Sequence, residues 1–149
     1  MRFLNGAMPI IKRSRKFPIR AEDIMSFPPV TARADTLIED VAKLMYDNNV
    51  GSVMIVDNAG VIVGIMTERD LIYAVANGKV GKGLPVHMIM TENPITVGPD
   101  VPIDETLRIM REKNIRHLPV VDSNKKPVGM ISLRDVIDAV VALMKVYTS

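Results

Sequence analysis

The apolar positions of this 149-residue chain fall into two matched series. Ile38, Val41, Leu44 and Met45 recur at helical spacing, as do Ile103, Leu107, Ile109 and Met110. Each set predicts the buried face of an amphipathic helix. Thr36, with Glu39 three residues on, predicts a capping box at the start of the first helix. Pro102 suits the first helical position of the second. Ahead of the helices, Pro29-Val30-Thr31 and Pro94-Ile95-Thr96-Val97 read as short extended pieces. Behind them come paired runs rich in Val, Ile and Met: Ser52–Val56 with Val61–Met66, and His117–Val121 with Val128–Ile131. These predict strands, joined by turns at Asp57-Asn58-Ala59-Gly60 and Asp122-Ser123-Asn124-Lys125. A closing helix is predicted from Glu68 to about Ala76 and again from Leu133 to about Val146.

The two series are one pattern used twice. Laid over itself at an offset of 65, the chain aligns without a gap. Met25 falls on Met90, Pro29 on Pro94, Thr31 on Thr96, Asp35 on Asp100, Met45 on Met110 and Asn49 on Asn114. Val56-Asp57, Val63-Gly64 and Arg69-Asp70 fall on Val121-Asp122, Val128-Gly129 and Arg134-Asp135. This internal repeat bounds the fold: two β-α-β-β-α units in an α/β (α+β) protein. The units run over residues 21–80 and 84–149, after a basic arm at residues 1–20. Gly78, Gly81, Gly83 and Pro85 mark the link between them. A unit of about 60 residues buries a modest core. Packing two about a pseudo-twofold axis stabilises both and generates paired clefts at matched positions.

Composition narrows the function classes. With no cysteine, the chain has no disulfide, no thiol nucleophile and no thiolate metal ligand. No apolar run approaches the roughly 20 residues of a membrane span, so no membrane partner is expected. The start, MRFLNGAMPI, lacks the apolar core of a secretory signal, and a cytoplasmic location is expected. The net charge of +2 is a sum of opposites: +6 in residues 1–20 and −4 in the remainder. The arm suggests contact with nucleic acid or, alternatively, a soluble extension held to the body by Phe17 and Ile19. Gly78-Lys79-Val80-Gly81-Lys82-Gly83 departs from a phosphate-loop pattern, because Gly83 follows the lysine where Ser or Thr is needed. His87 and His117 are the only histidines, and no metal is expected.

The matched polar positions are Gly64-Ile65-Met66-Thr67-Glu68-Arg69-Asp70 and Gly129-Met130-Ile131-Ser132-Leu133-Arg134-Asp135. Two readings of them stand side by side. Thr67 and Ser132, each with an aspartate three residues on, are helix caps. The same geometry also presents the N–H groups and positive end of a helix to a phosphate, with a carboxylate beside it able to accept hydrogen bonds from a ribose diol. No nucleophile–base pair or catalytic loop accompanies them, so no enzyme is expected.

The duplication, the strands SVMIVD and HLPVVD, and the motifs GIMTERD and GMISLRD together resemble tandem CBS domains, the pair called a Bateman module. The resemblance covers about residues 21–147. It implies a stand-alone CBS-pair disc that senses rather than catalyses. AMP, ADP or ATP is the implied regulatory ligand, with S-adenosylmethionine or NAD in some members. Carried onto this chain, the resemblance gives Asp70 and Asp135 to the ribose, and Thr67 and Ser132 to ribose or phosphate. Val30, Thr31, Ile95 and Thr96 would edge the adenine. Phosphate would meet Arg116, His117 and Arg134 at the Asp70 site, and Gly51, Ser52 and Arg69 at the Asp135 site. The Asp70 site is therefore expected to hold charged phosphates more tightly. His117 is expected to strengthen phosphate binding as it gains charge below about pH 6.5. The apolar last helix (Ile137, Val140, Val141, Met144), with Ile72 and Val75, suggests a homodimer. A regulated protein is implied but not named by the sequence.

Overall fold

A computed structural model describes residues 19–148. Phe17 and most of the basic arm lie outside the described residues. A short helix α1 (Ala21–Ile24) leads to strand β1 (Thr31–Arg33), helix α2 (Ile38–Asn48), strands β2 (Ser52–Val56) and β3 (Ile62–Thr67), and helix α3 (Glu68–Ala76). A 3-10 turn (Val86–Met88) and strand β4 (Thr91–Glu92) open the second unit. Helix α4 (Ile103–Lys113), strands β5 (His117–Val121) and β6 (Pro127–Ser132), and helix α5 (Leu133–Thr148) complete it.

The first sheet has the order β1-β2-β3-β4, with β1 parallel to β2 and the other pairs antiparallel. The second keeps the β5-β6 pair and reduces its edges to single bridges, Val97 to Val120 and Ser26 to Met130. These edges sit at the positions that match β1 and β4. The register repeats as well: Ser52 faces Thr67, and His117 faces Ser132. Both middle pairs carry an irregularity at the same place, between Ile55 and Val56 and between Val120 and Val121. Helices α2 and α4 both end on an asparagine, Asn49 or Asn114, at φ 52°, the left-handed position that Asn tolerates better than most residues.

The two units exchange their leading segments. Ala21, Ile24 and Met25 pack into the second core, among Val97, Ile103, Leu118 and Ile131. Val86, Ile89 and Met90 pack into the first, among Ile38, Val41, Val53 and Met66. Backbone bonds fix the exchange: Ser26 N–H donates to Met130 O at 2.8 Å, and the Met130 N–H returns a bond to Ser26 O at 3.1 Å. Gly64 and Gly129 make room for it. A Cβ on Gly64 would collide with the Met90 side chain, and one on Gly129 with that of Met25. A third cluster, Met54, Ile62 and Val121 with Met130 against it, contains side chains from both units. Ile19 packs on the second core, and its carbonyl accepts from Ile103 N–H at 2.9 Å.

The crossing also changes how the helices start. Thr36 does not cap α2: the N-cap residue is Leu37, which makes no side-chain cap bond. Thr36 instead accepts from Val86 N–H at 2.7 Å, and Ile38 N–H donates to Leu84 O at 3.0 Å. The backbone of the other unit's leading segment satisfies a donor that a side-chain cap would otherwise serve. Glu39 is diverted to Gly81 N–H at 2.8 Å. Pro102 stands one residue earlier than expected, as the extended N-cap of α4. Strands β3 and β6 run from Ile62 to Thr67 and from Pro127 to Ser132, a residue beyond the sequence expectation at their far ends. The Thr31 piece is shifted toward Arg33, and of Pro94–Val97 only Val97 pairs.

Candidate functional site

Each GIMTERD-type motif turns a strand end into a helix start, and the cap reading holds at both. Thr67 Oγ1 accepts from Asp70 N–H at 3.4 Å, and Asp70 Oδ2 accepts from Thr67 N–H at 2.9 Å. Ser132 Oγ accepts from Asp135 N–H at 3.1 Å, and Asp135 Oδ2 accepts from Ser132 N–H at 2.8 Å. A reciprocal cap occupies one carboxylate oxygen and leaves the other for further partners. At Asp70 that oxygen, Oδ1, accepts from Thr91 Oγ1 at 3.3 Å. At Asp135, Oδ1 has no hydrogen bond among the described residues.

Asp135 lies in a cleft of about 870 Å³ between the units. Its floor and walls come from both: Val30, Gly51 and Ser52 from the first, Ser132, Arg134 and His117 from the second. A cavity of that size with a few placed polar groups suits a nucleoside-sized ligand. Seven of the expected residues are therefore brought together: Asp135, Ser132, Arg134, His117, Gly51, Ser52 and Val30. Thr31, Ile95, Thr96, Thr67, Asp70, Arg69 and Arg116 lie outside this cleft.

The cleft lining places two of the expected cations beside Asp135. Arg134 accompanies Asp135, its neighbour in the first turn of α5, rather than the Asp70 site. Arg69 does not reach the Asp135 cleft. His117 also lines the Asp135 cleft, together with Ser52. Since the repeat offset carries Ser52 onto His117, this pair sits where the two units meet. Arg116 alone retains its expected place away from Asp135, exposed at the position that matches Gly51.

Burial pushes the His117 imidazole below its ordinary value of 6.5. The Glu68 and Asp135 carboxylates pull the other way, and the Arg116 guanidinium adds to the push. The expected gain of charge near pH 6.5 is thereby moved toward lower pH, because an imidazolium here would lose hydration. Glu68 was not singled out in the sequence, nor was Asp138; both line the cleft. A Cβ on Gly51 would collide with the Glu68 carboxylate and stand 3.0 Å from the His117 ring, so both side chains overhang that glycine. The signal was present in the motif itself: Glu68 falls one residue after Thr67 but faces Leu133 in the repeat alignment, a mismatch that marks a difference between the clefts.

Among the described residues, no helix is long and apolar enough to cross a membrane. A family model described as "CBS domain" matches residues 21–77 and again 86–142. A CBS domain pair solved with 5′-methylthioadenosine and S-adenosyl-L-methionine is similar to this chain at 34% identity, with a TM-score of 0.78 over 83% of this chain and 97% of that one. A CBS domain protein from Pyrobaculum aerophilum, complexed with AMP, is similar at 31% identity, with a TM-score of 0.77 over 88% of this chain and 100% of that one. Among curated proteins, the L-aspartate semialdehyde sulfurtransferase of Methanocaldococcus jannaschii is 37% identical over 122 residues, which is 81% of this chain and 23% of the enzyme. An uncharacterized 17.7 kDa protein of Acidianus ambivalens is 35% identical over 116 residues, 78% of this chain and 68% of that protein. The chain thus spans about a quarter of the enzyme it matches. With two matched copies of one unit, each capped at its helix start, this chain belongs to the CBS domain family as a tandem CBS pair, a Bateman module.

Proposed function

We propose that this CBS pair is a non-catalytic regulatory module that senses an adenosine-containing ligand in the clefts between its units, with AMP, ADP or ATP as the leading candidates. The observation that carries the reading is the Asp135 carboxylate. One of its oxygens is held by the Ser132 N–H at 2.8 Å, and the carboxylate lies in an 870 Å³ cleft built from both units. A fixed carboxylate accepts hydrogen bonds from the hydroxyls of a ribose diol. Val30 supplies an apolar wall for the base. The related CBS proteins solved with AMP or with S-adenosyl-L-methionine support the ligand class. Asp70, Thr67, Arg69 and Arg116 would serve the second cleft, with Ile95 and Thr96 at its adenine edge.

Because ligand would touch both units, it would bias their relative position, which a regulated protein could read. Ile72, Ile137 and Met144 are 68%, 51% and 60% exposed. A homodimer would cover this apolar face of α3 and α5. A thermal-shift screen with AMP, ADP, ATP, S-adenosylmethionine and NAD tests the ligand class. Saturation at a hundred times the dissociation constant raises stability by about 2.7 kcal/mol. No shift with any of the five would contradict the reading.

A further inference from the structure

The Asp135 cleft and the positions matched to it beside Asp70 carry opposite charge. The Asp135 cleft is lined by the carboxylates of Glu68, Asp135 and Asp138, against one guanidinium, Arg134. With His117 neutral, the lining sums to −2. At the matched positions beside Asp70 the pattern inverts. Leu133 replaces Glu68, and Tyr73 replaces Asp138. Arg116 replaces Gly51, and Arg111 replaces the cleft-lining Tyr46. With Arg69, that side has three guanidiniums against one carboxylate, or +2. Arg69, Arg111 and Arg116 are exposed and form no salt bridge among the described residues. All four changes push in one direction.

Glu68 is exposed at the cleft, where it overhangs Gly51 beside the His117 ring. A phosphate brought into the cleft would approach this carboxylate together with those of Asp135 and Asp138, and like charges near a protein surface repel. A ligand with an uncharged or cationic 5′ group would not be repelled. Resting on the adenosine reading above, we infer that the Asp135 cleft selects adenosine derivatives with a neutral or cationic 5′ substituent and disfavours 5′-phosphates, while the Asp70 side takes the phosphorylated ones. The module would then report on two classes of adenosine compound at once.

The test uses full-length protein carrying Asp70→Ala, which leaves the Asp135 cleft as the ligand site. Calorimetric titrations are run with 5′-methylthioadenosine, which is neutral, and with AMP. At low salt, 5′-methylthioadenosine should bind about tenfold more tightly than AMP, the ratio expected from an unfavourable charge pair near a protein surface. The gap should narrow as salt rises. Adding Glu68→Gln and Asp138→Asn should raise the AMP-to-methylthioadenosine affinity ratio about tenfold. Thermal unfolding checks that each variant is folded, and the salt series on the Asp70→Ala protein stands without the added substitutions. AMP binding at least as tight as 5′-methylthioadenosine, or a ratio unmoved by salt and by both neutralisations, would overturn the charge selection. If 5′-methylthioadenosine and AMP both fail to bind folded protein, the adenosine reading falls instead, and the selection with it.

Discussion

In the proposed site Asp135 would use its two oxygens differently, and the two uses can be separated. Its Oδ2 closes the cap of α5 through Ser132 N–H, while Oδ1 is left for a ligand. Asp135→Ala should destabilise the fold by about 1 kcal/mol, the usual cost of a lost cap partner, and remove adenosine binding at that cleft. Asp135→Asn retains one acceptor, so chemical denaturation should show most of the stability restored. Calorimetry should still show affinity reduced about tenfold, because an amide cannot accept from both ribose hydroxyls. Unchanged affinity in both folded variants, with stability lost only in Asp135→Ala, would mean that the residue is a cap alone. His117 gives a second test at this scale. Its folded pKa lies below the ordinary 6.5 because of burial, so on acidification the unfolded chain takes up the proton first. The stability this group contributes is complete above about 6.5 and erodes as pH falls below it. Urea titrations from about pH 7 down to about pH 5 should show a shallower loss in His117→Gln than in the wild type. Matching slopes would remove His117 from the account.

At the scale of elements, the sequence spoke clearly wherever the cause was local. The apolar stripes of α2 and α4, and the Val- and Ile-rich strands β2 and β5, follow from periodicity within a dozen residues. The ends of β2, α3 and β5 were legible to the residue. The leading segments were not. Met25 meets Gly129, more than a hundred residues away, and no local pattern encodes such a partner. The repeat alignment had paired Met25 with Met90 and Gly64 with Gly129, yet it could not show that each methionine crosses to the other unit's glycine. The misplaced cap at Thr36 has the same origin, since a distant backbone supplies the bonds. At the site, the self-alignment found the motif residues, and the cation assignment came from the family resemblance; in the described cleft Arg134 and His117 line the Asp135 side. Glu68 and Asp138 escaped because Glu68 occupies a free position of the repeated motif and Asp138 lies beyond it. If the glycines exist to admit the methionines, Gly129→Val should destabilise the protein by about 1–3 kcal/mol, the cost typical of overpacking. A combined Gly129→Val, Met25→Ala variant should recover part of that loss in thermal unfolding. Full additivity of the two changes would show that they do not meet.

For the whole molecule, the exchange of segments ties the two units into one body, and the Asp135 cleft lies where they join. A ligand there is placed to act on the arrangement of the pair rather than on one domain. The apolar faces of α3 and α5 extend the same logic outward. A homodimer through them should appear at twice the 16.5 kDa chain mass in light scattering. Ile137→Asp with Met144→Asp should return it to a monomer, because an unpaired charge in an apolar interface is costly. A wild type that is monomeric at high concentration would contradict this arrangement. The basic arm, +6 over residues 1–20, adds a field of the opposite sign to the −4 of the rest. Any binding it gives to nucleic acid should fall steeply with salt. The central claim, that adenosine ligands bind at the two capped aspartates, is tested most directly by equilibrium dialysis of radiolabelled AMP and 5′-methylthioadenosine. The wild type is compared with a folded Asp70→Ala, Asp135→Ala double variant. The account predicts saturable binding of both compounds to the wild type and none to the double variant. Undiminished binding to the double variant, or no binding to the wild type, would contradict it.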